Sequence, residues 1–432
     1  MGDKEAAETL GQRVRRIRRE RGLSQRDVAE PGISYAYLSR IEAGQRLPSV
    51  KALRIIARKL NVPLEYLETG EPLPALRGRD AKLTDAELAL RLDPKPALVE
   101  KFRELLEEAR VEADSVAMSR ARIGLGLALA HFGEYGEAIF QLETALVSPG
   151  LTPLSHPDVY ATLGHAYASR GRFDRSVGLF EGYLESLNTI APDEHGLRVR
   201  FTSYLSCALA DAGDFERSRT VLARLEAHEA KRLDDRGRAT IYWSLARTDS
   251  MAGDSVTAIV HMERALAILE ASEDRLEIAR GHLTCAEILL LDERPQEAAY
   301  HLDRAEESFL DSADHTDYGV LRTHQARYAL LEVDPDRAIE LAQQALEYLK
   351  EHTTEQGSAW HTLGAAQLRK DDIDAAAKSM RRAIELLEKS GEWREVVTVA
   401  RELAEAMRAA GRAEEAYELL ERATVISITR LP

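Results

Sequence analysis

GLSQRDVAEPGISYAYLSRIEAG, residues 22–44, reads as two short helices joined by a tight turn. Ser24, with Asp27 three positions on, has the capping pattern that starts the first of them, because a side-chain oxygen there accepts an amide proton that a helix start leaves without a partner. Pro31 and Gly32 stop that helix within two turns. Ser34 caps the second, Tyr35 to Ala43, in which Leu38 and Ile41 face inward, Tyr35, Ala36, Tyr37 and Arg40 face out, and Gly44 closes the end. The helical pattern continues on both sides. Leu10, Val14 and Ile17 recur at helical spacing, so Glu5 to Arg21 reads as an amphipathic helix with Arg13, Arg15, Arg16 and Arg19 on its other side and Gly22 at its end. Pro48-Ser49 opens a fourth helix with Val50, Leu53, Ile56, Ala57 and Leu60 apolar, and a short fifth follows Pro63.

Two short helices joined in this way form a helix-turn-helix, in which the second helix places its N-terminal side chains in the DNA major groove. Periodicity alone leaves a plain helical bundle open, and the particular residues decide against it. GLSQRDVAE, GIS and LSRIEAGQRLPS together resemble the lambda-repressor-like, XRE-type family of DNA-binding domains over roughly residues 9–69. Carried over by position, the resemblance makes Gln25 a phosphate contact that also reaches a base edge, and puts Tyr35, Ala36 and Arg40 where the family reads bases, with Ser34 and Tyr37 beside them. Arg40 is the leading specificity residue, since one guanidinium bonds guanine O6 and N7 together. Arg13, Arg46 and Lys51 stand where cations pair with phosphates, and Glu42 is paired with Arg18 across the bundle. The turn Glu30 to Ser34 departs from the family's usual form in being about one residue shorter, which bears on the tilt of the reading helix.

The charge balance fits this division of labour. The chain has 432 residues and a formal net charge of −15, yet residues 1–79 hold 16 Lys and Arg against 10 Asp and Glu. One end suits a polyanion, and the remainder, with 42 basic and 63 acidic residues, repels one. A chain of this length exceeds one ordinary core, which calls for several domains or a repeat array. The segment GEPLPALRGRDAKL, residues 70–83, carries Gly70, Pro72, Pro74 and Gly78 and lacks helical periodicity, so the expected organisation is residues 1–70 as the DNA-binding domain, 71–83 as a linker, and 84–432 as an array beginning at a Thr84–Glu87 capping box.

Beyond the linker the chain repeats. Small residues fall in register at Gly126, Gly164, Ser206, Ala246, Ala286, Ala326, Gly364 and Ala404, with gaps of 38, 42, 40, 40, 40, 38 and 40. Twelve residues after each stands another, at Ala138, Ser176, Ser218, Ala258, Ala298, Ala338, Ala376 and Ala416. Seven further on, Ala recurs at 145, 265, 305, 345, 383 and 423, with Tyr183 and Leu225 as the exceptions. Small side chains at fixed positions let two helices cross closely, and neighbouring pairs bury what one pair cannot. LGHAYASRGRFDRSVGLFEGYL (residues 163–184) and WHTLGAAQLRKDDIDAAAKSMRRAI (residues 360–384) resemble the tetratricopeptide repeat, with a period near 40 that exceeds the usual ~34. The expected fold class is therefore all-α: a five-helix lambda-repressor-like domain followed by an α-solenoid of about eight visible repeats, coiled as the right-handed superhelix that the resemblance implies.

The same resemblance implies that the first helix of each repeat lines a concave, ligand-receiving surface. Counted from the small residues, its inward positions include His165, Arg200, Cys207, Tyr242, Arg247, Arg280, Glu287, Thr323, Arg327 and His361. Arg200, Arg247, Arg280 and Arg327 with Tyr242 and His165 make a candidate anion-binding strip; ordinary arginines paired with nearby acids are the alternative. Asparagine, which peptide-sensing regulators of this architecture use to clamp a peptide backbone, occurs only at Asn61 and Asn188.

No Gly-Lys dipeptide, HExxH, GxSxG or GxGxxG occurs, and Cys207 and Cys285 have no zinc-site spacing, so the sequence points to no enzyme, no metal and no cofactor. The N-terminus lacks an apolar signal core and no run approaches the ~18 apolar residues that span a bilayer, which implies a cytoplasmic protein with no membrane partner. The reading is a transcriptional regulator acting as a homodimer on a double-stranded DNA operator, with a peptide, small anionic ligand or protein partner at the array. A repeat scaffold with an accessory DNA-binding domain, and an antitoxin or phage-type repressor, stand as alternatives.

Overall fold

The structure, a computed structural model, describes residues 8–21, 23–29, 33–60, 62, 64, 67, 78–92, 94–111, 114–147, 152, 154–229, 232–272, 275–309, 313–350 and 353–431. They form helices and connecting turns, with no strand among the described residues. The chain divides into two compact units, Met1–Asp85 and Ala86–Pro432.

The first unit contains α1 (Leu10–Glu20), α2 (Gln25–Ala29), α3 (Tyr35–Glu42) and α4 (Val50–Lys59). α1 begins at Leu10 rather than Glu5, because Thr9 and Gln12 form a reciprocal cap: Gln12 N donates to Thr9 Oγ1 and Thr9 N to Gln12 Oε1. Ser24 and Asp27 cap α2 in the same way, while Ser34 and Ser49 cap α3 and α4. Val14, Ile17, Val28, Ala29, Leu38, Ile41, Leu53, Ile56 and Leu60 close into one core, which Leu67 joins fully buried. Gly22, Pro63 and the turn Glu30–Gly32 lie outside the described residues.

The linker boundary needs correction. α5 (Gly78–Leu92) already runs through residues 78–83, and Thr84 sits inside it with its hydroxyl donating to the Asp80 carbonyl. Beyond Gly78 this stretch has no proline, Asp80 complements the helix start, and Leu83 and Ala86 are buried, so nothing opposes helix. Residues 71–77 lie outside the described ones.

α6 (Ala97–Val111) follows, and then eight helical pairs: α7 (Ser115–His131) with α8 (Tyr135–Leu146), α9 (Pro157–Ser169) with α10 (Phe173–Ile190), α11 (His195–Asp211) with α12 (Phe215–Glu229), α13 (Asp235–Met251) with α14 (Ser255–Ser272), α15 (Arg275–Leu291) with α16 (Pro295–Phe309), α17 (His315–Leu331) with α18 (Pro335–Tyr348), α19 (Thr353–Arg369) with α20 (Ile373–Ser390), and α21 (Trp393–Ala409) with α22 (Ala413–Arg430). The small residues mark the crossings. A Cβ on Gly164 would stand 2.1 Å from the Phe180 ring, and one on Gly364 2.5 Å from Met380. Where serine replaces alanine its hydroxyl is matched: Ser176 Oγ donates to the Gly164 carbonyl at 2.9 Å, and Ser218 Oγ to that of Ser206 at 3.0 Å.

The turn inside each pair requires a residue in the left-handed region. Gly133, Gly171, Gly213, Gly253 and Gly411 fill that place in five pairs, but Glu293, Val333 and Asp371 fill it at φ 55°, 60° and 59° in the other three.

Late pairs also touch early ones. Trp393 Nε1 donates to the Ser169 carbonyl and Arg430 Nη1 to that of Arg170, both at 2.8 Å, and the Arg430 guanidinium stacks 5.1 Å from the Trp393 ring centre. Gly391, at φ +84°, lies so close to Ser169 that an added Cβ would meet its carbonyl oxygen at 2.5 Å. Through this seam the last two pairs close onto the second.

Candidate nucleic-acid interface and array cavity

In the first unit, the apolar spacing of α3 turns Leu38 and Ile41 into the core and leaves Tyr35, Ala36 and Arg40 exposed, with Tyr35 48% accessible. The Arg40 guanidinium meets no carboxylate among the described residues. Ile33, Ser34, Tyr37, Arg40, Arg46 and Ser49 line a cleft of about 450 Å³. Arg46 stacks 5.2 Å above the Tyr37 ring, and the Tyr37 hydroxyl accepts the Ser49 amide proton at 3.1 Å, which holds the ring half-buried rather than facing out. The cleft thus brings Ser34, Tyr37, Arg40 and Arg46 together beside the capped starts of α3 and α4, an arrangement of cations and amide donors suited to phosphate oxygens.

Arg13 is a correction. It is 4% exposed, and its Nη1 and Nη2 donate to the carbonyls of Leu67 and Glu8 at 2.5 and 2.8 Å, so it ties the chain after α4 to α1 and has no free face for a phosphate. Gln25 is half-buried and donates from Nε2 to Glu42 Oε2 at 2.7 Å. Glu42 also takes a bidentate pair from Arg18, Nε to Oε1 at 2.6 Å and Nη2 to Oε2 at 2.8 Å. Burial pushes the Glu42 carboxyl upward, but the hydrogen bonds from Arg18 and Gln25 and the Arg18 charge outweigh it and hold the group below the ordinary carboxylate range. The Lys51 side chain lies outside the described residues.

In the second unit, residues from α5, α7, α8, α9, α10, α11 and α13 enclose a cavity of about 1130 Å³. His165, Arg200, Cys207 and Arg247 line it, whereas Tyr242, Arg280 and Arg327 do not. The arginines do not form one anion-binding strip. Arg200 pairs with Asp158 at 2.8 Å, Arg247 with Asp211 at 3.1 Å, and Arg280 with Asp317 at 2.8 Å, while the Tyr242 hydroxyl donates to Glu226 at 2.7 Å. Each acid lies about one repeat from its arginine, separated by 42, 36 and 37 residues in the chain, and that offset was the available signal. Arg327 alone of the four meets no carboxylate among the described residues and instead bonds the hydroxyls of Ser358 at 2.6 Å and Thr362 at 3.4 Å.

Acids outside the expected strip, Asp211 and Glu392, act on Arg247. Glu392, just before α21, is pushed up to about 7 by burial and by the charges of Glu395 and Asp211, with Arg247 opposing. Burial lowers His165 below its ordinary value, Asp211 acting against this and Arg247 with it. Among the described residues no three His, Cys, Asp or Glu gather as metal ligands would, both cysteines are free, and no helix is long and apolar enough to cross a membrane.

The helix-turn-helix family model matches residues 14–67, and the tetratricopeptide-repeat model matches residues 357–388. An uncharacterized HTH-type transcriptional regulator of Mycobacterium tuberculosis is 38% identical over 86 residues, 19% of this chain and 61% of that protein, so the chain spans less than two thirds of that relative's length. One from Sinorhizobium fredii is 44% identical over 54 residues, 12% of this chain and 70% of that protein. Among solved structures, a Rap protein complexed with Competence and Sporulation Factor matches with a TM-score of 0.52 at 14% identity, over 96% of this chain and 98% of that one, a likeness of fold. The capped pair α2 and α3, the family match across it and the repeated pairs behind it together identify the chain as a member of the XRE-type helix-turn-helix transcriptional regulators that carry a tetratricopeptide-repeat domain.

Proposed function

We propose that this chain binds a double-stranded DNA operator as a homodimer, with Arg40, Tyr35 and Ala36 on base edges and Ser34, Tyr37, Arg46, Lys51 and Gln25 on the sugar-phosphate backbone. The observation that carries the reading is Arg40: a guanidinium with no carboxylate partner among the described residues, on the outward face of a helix whose inner face is core. Occupancy of the 1130 Å³ array cavity by a peptide or another small ligand regulates that binding, by changing the spacing of two recognition helices that must meet half-sites about 34–36 Å apart. The Rap structure, whose partner is Competence and Sporulation Factor, supports reading an array of this fold as a receiver of ligands.

The test is selection of binding sites from random duplex DNA, followed by titration of variants. Arg40→Ala is expected to cost ~1–3 kcal/mol and relax one base position, whereas Arg46→Ala weakens all sequences alike and lowers the salt slope by about 1. Arg40→Ala binding with wild-type affinity and preference overturns the assignment of α3.

A further inference from the structure

A second, smaller cavity lies in the array on helices that the first does not touch. Leu290 and Leu291 of α15, Arg327, Leu330 and Leu331 of α17, Ala365, Leu368 and Arg369 of α19, and Glu402 of α21 enclose about 360 Å³. All four are the first helices of successive pairs. The lining is an apolar floor of five leucines under two cations, with Leu291 69% exposed at its surface. Neither arginine has a carboxylate partner among the described residues; Arg327 is held by the hydroxyls of Ser358 and Thr362, which fix its guanidinium without neutralising it. The one acid in the lining, Glu402, accepts a hydrogen bond from His361 Nε2 at 2.7 Å, so one of its oxygens is held away from the two arginines. Elsewhere in the array Arg200, Arg247 and Arg280 have acids on the neighbouring repeat, so the pattern breaks at Arg327.

We propose that this cavity binds a carboxylate carried on a short aliphatic group, the guanidinium of Arg327 taking the carboxylate with Arg369 beside it and the five leucines receiving the hydrocarbon. A planar guanidinium bonds the two oxygens of a carboxylate together, which a hydrated ammonium does less well. The volume stands near the lower end of the ~300–1000 Å³ of small-molecule sites and limits the bound part to one short branched or straight chain. Both the C-terminal residue of a peptide and a free short-chain acid present this chemistry. The inference goes beyond the function above, because the site shares no lining residue with the larger cavity.

The probes are N-acetyl-L-leucine and hexanoate, each against its uncharged amide, titrated calorimetrically into the full chain. Saturable binding of an acid, with its amide at least about tenfold weaker, is expected, since a lost charged hydrogen bond is worth about that much or more. The R327Q/R369Q double variant is expected to lose at least about tenfold in acid binding, and its unchanged circular dichroism reports an intact fold. N-acetyl-L-leucine binding more tightly than hexanoate assigns the site to peptide ends, and the reverse assigns it to free acids. Equal binding of acid and amide, undiminished binding by the double variant, or no saturation by either acid overturns the proposal. Arg247→Gln, in the larger cavity, is expected to leave probe binding unchanged; since DNA affinity is read separately, failure here leaves the regulator reading standing.

Discussion

The two units handle charge and backbone differently. The first unit buries an ion pair at its centre: Arg18 and Glu42 are 9% and 5% exposed, joined by two hydrogen bonds and extended by Gln25. The array keeps most of its ion pairs at the surface and places small apolar residues at the crossings, as at Ala246 with Ala258 and Ala326 with Ala338. A small domain built around one polar contact depends on it, whereas a repeated crossing spreads the load over many similar contacts between adjacent pairs, with the seam at Ser169 and Arg170 added to them.

The largest expected effect follows from that contrast. Glu42→Ala leaves a buried guanidinium without its carboxylate, at about 3–5 kcal/mol. Urea unfolding of this variant is expected to show early loss of the first unit with the helical signal of the array intact, and DNA binding is expected to disappear. The pH dependence has a definite sign. Glu42 titrates below its unfolded value, so its contribution is present above the ordinary carboxylate range and is lost as the pH falls through the lower folded value. An acid midpoint equal in wild type and Glu42→Gln would show the pair to be immaterial.

Next in size is Gly164→Val. The new side chain would meet the Phe180 ring, and overpacking of this kind costs ~1–3 kcal/mol. Because the second pair touches its two neighbours and, through the seam, the last pair, hydrogen exchange is expected to quicken over residues 157–190 and those contacts and to stay unchanged at 335–348. Loss of protection along the whole array would mean that it folds as one unit.

Much of this was legible in the sequence, and the failures share a cause. Capping serines and apolar spacing announced α2, α3 and α4, because those signals are local. The repeats could be counted since close crossing admits only small residues at fixed offsets. What escaped depends on partners distant in the chain: Arg13 carries the charge of a phosphate contact, but whether a carbonyl such as that of Leu67 takes it is decided by tertiary packing. The array arginines were placed correctly on first helices, yet their acids stand on neighbouring repeats, so charge along one helix could not reveal the pairing. The seam between residues 169–171 and 391–430 has no sequence signal at all, because it depends on the curvature that the repeats accumulate.

That seam supplies a smaller test. Trp393→Phe keeps a ring under Arg430 but deletes the donor to Ser169, at about 0.5–1.5 kcal/mol. Glu392, one residue away, titrates above its unfolded value, so its ionisation works against the closed seam and stability is expected to decline as the pH rises from the ordinary carboxylate range through about 7. Glu392→Gln should flatten that decline, and small-angle scattering of Trp393→Phe should show a more open array at high pH than wild type. An unaltered pH profile in Glu392→Gln would remove the carboxyl from any role in closure.

The smallest effect runs in the opposite direction and compares repeats with each other. The turn between paired helices takes the left-handed region at Gly253 and at Val333 alike, with φ of 82° and 60°. For a β-branched residue that conformation costs ~1–2 kcal/mol, because Cβ crowds the following carbonyl. Glycine removes the crowding but gains ~0.5–1 kcal/mol of freedom in the unfolded chain. Val333→Gly is therefore expected to stabilise by about 0.5–1 kcal/mol, while Gly253→Val, the mirror experiment, destabilises by a similar amount or more. The Val333 side chain is 77% exposed, so little packing is lost in the exchange. If both variants were destabilised, Val333 would hold its turn by contacts that outweigh backbone strain, and the equivalence of the eight turns would fail at the sixth.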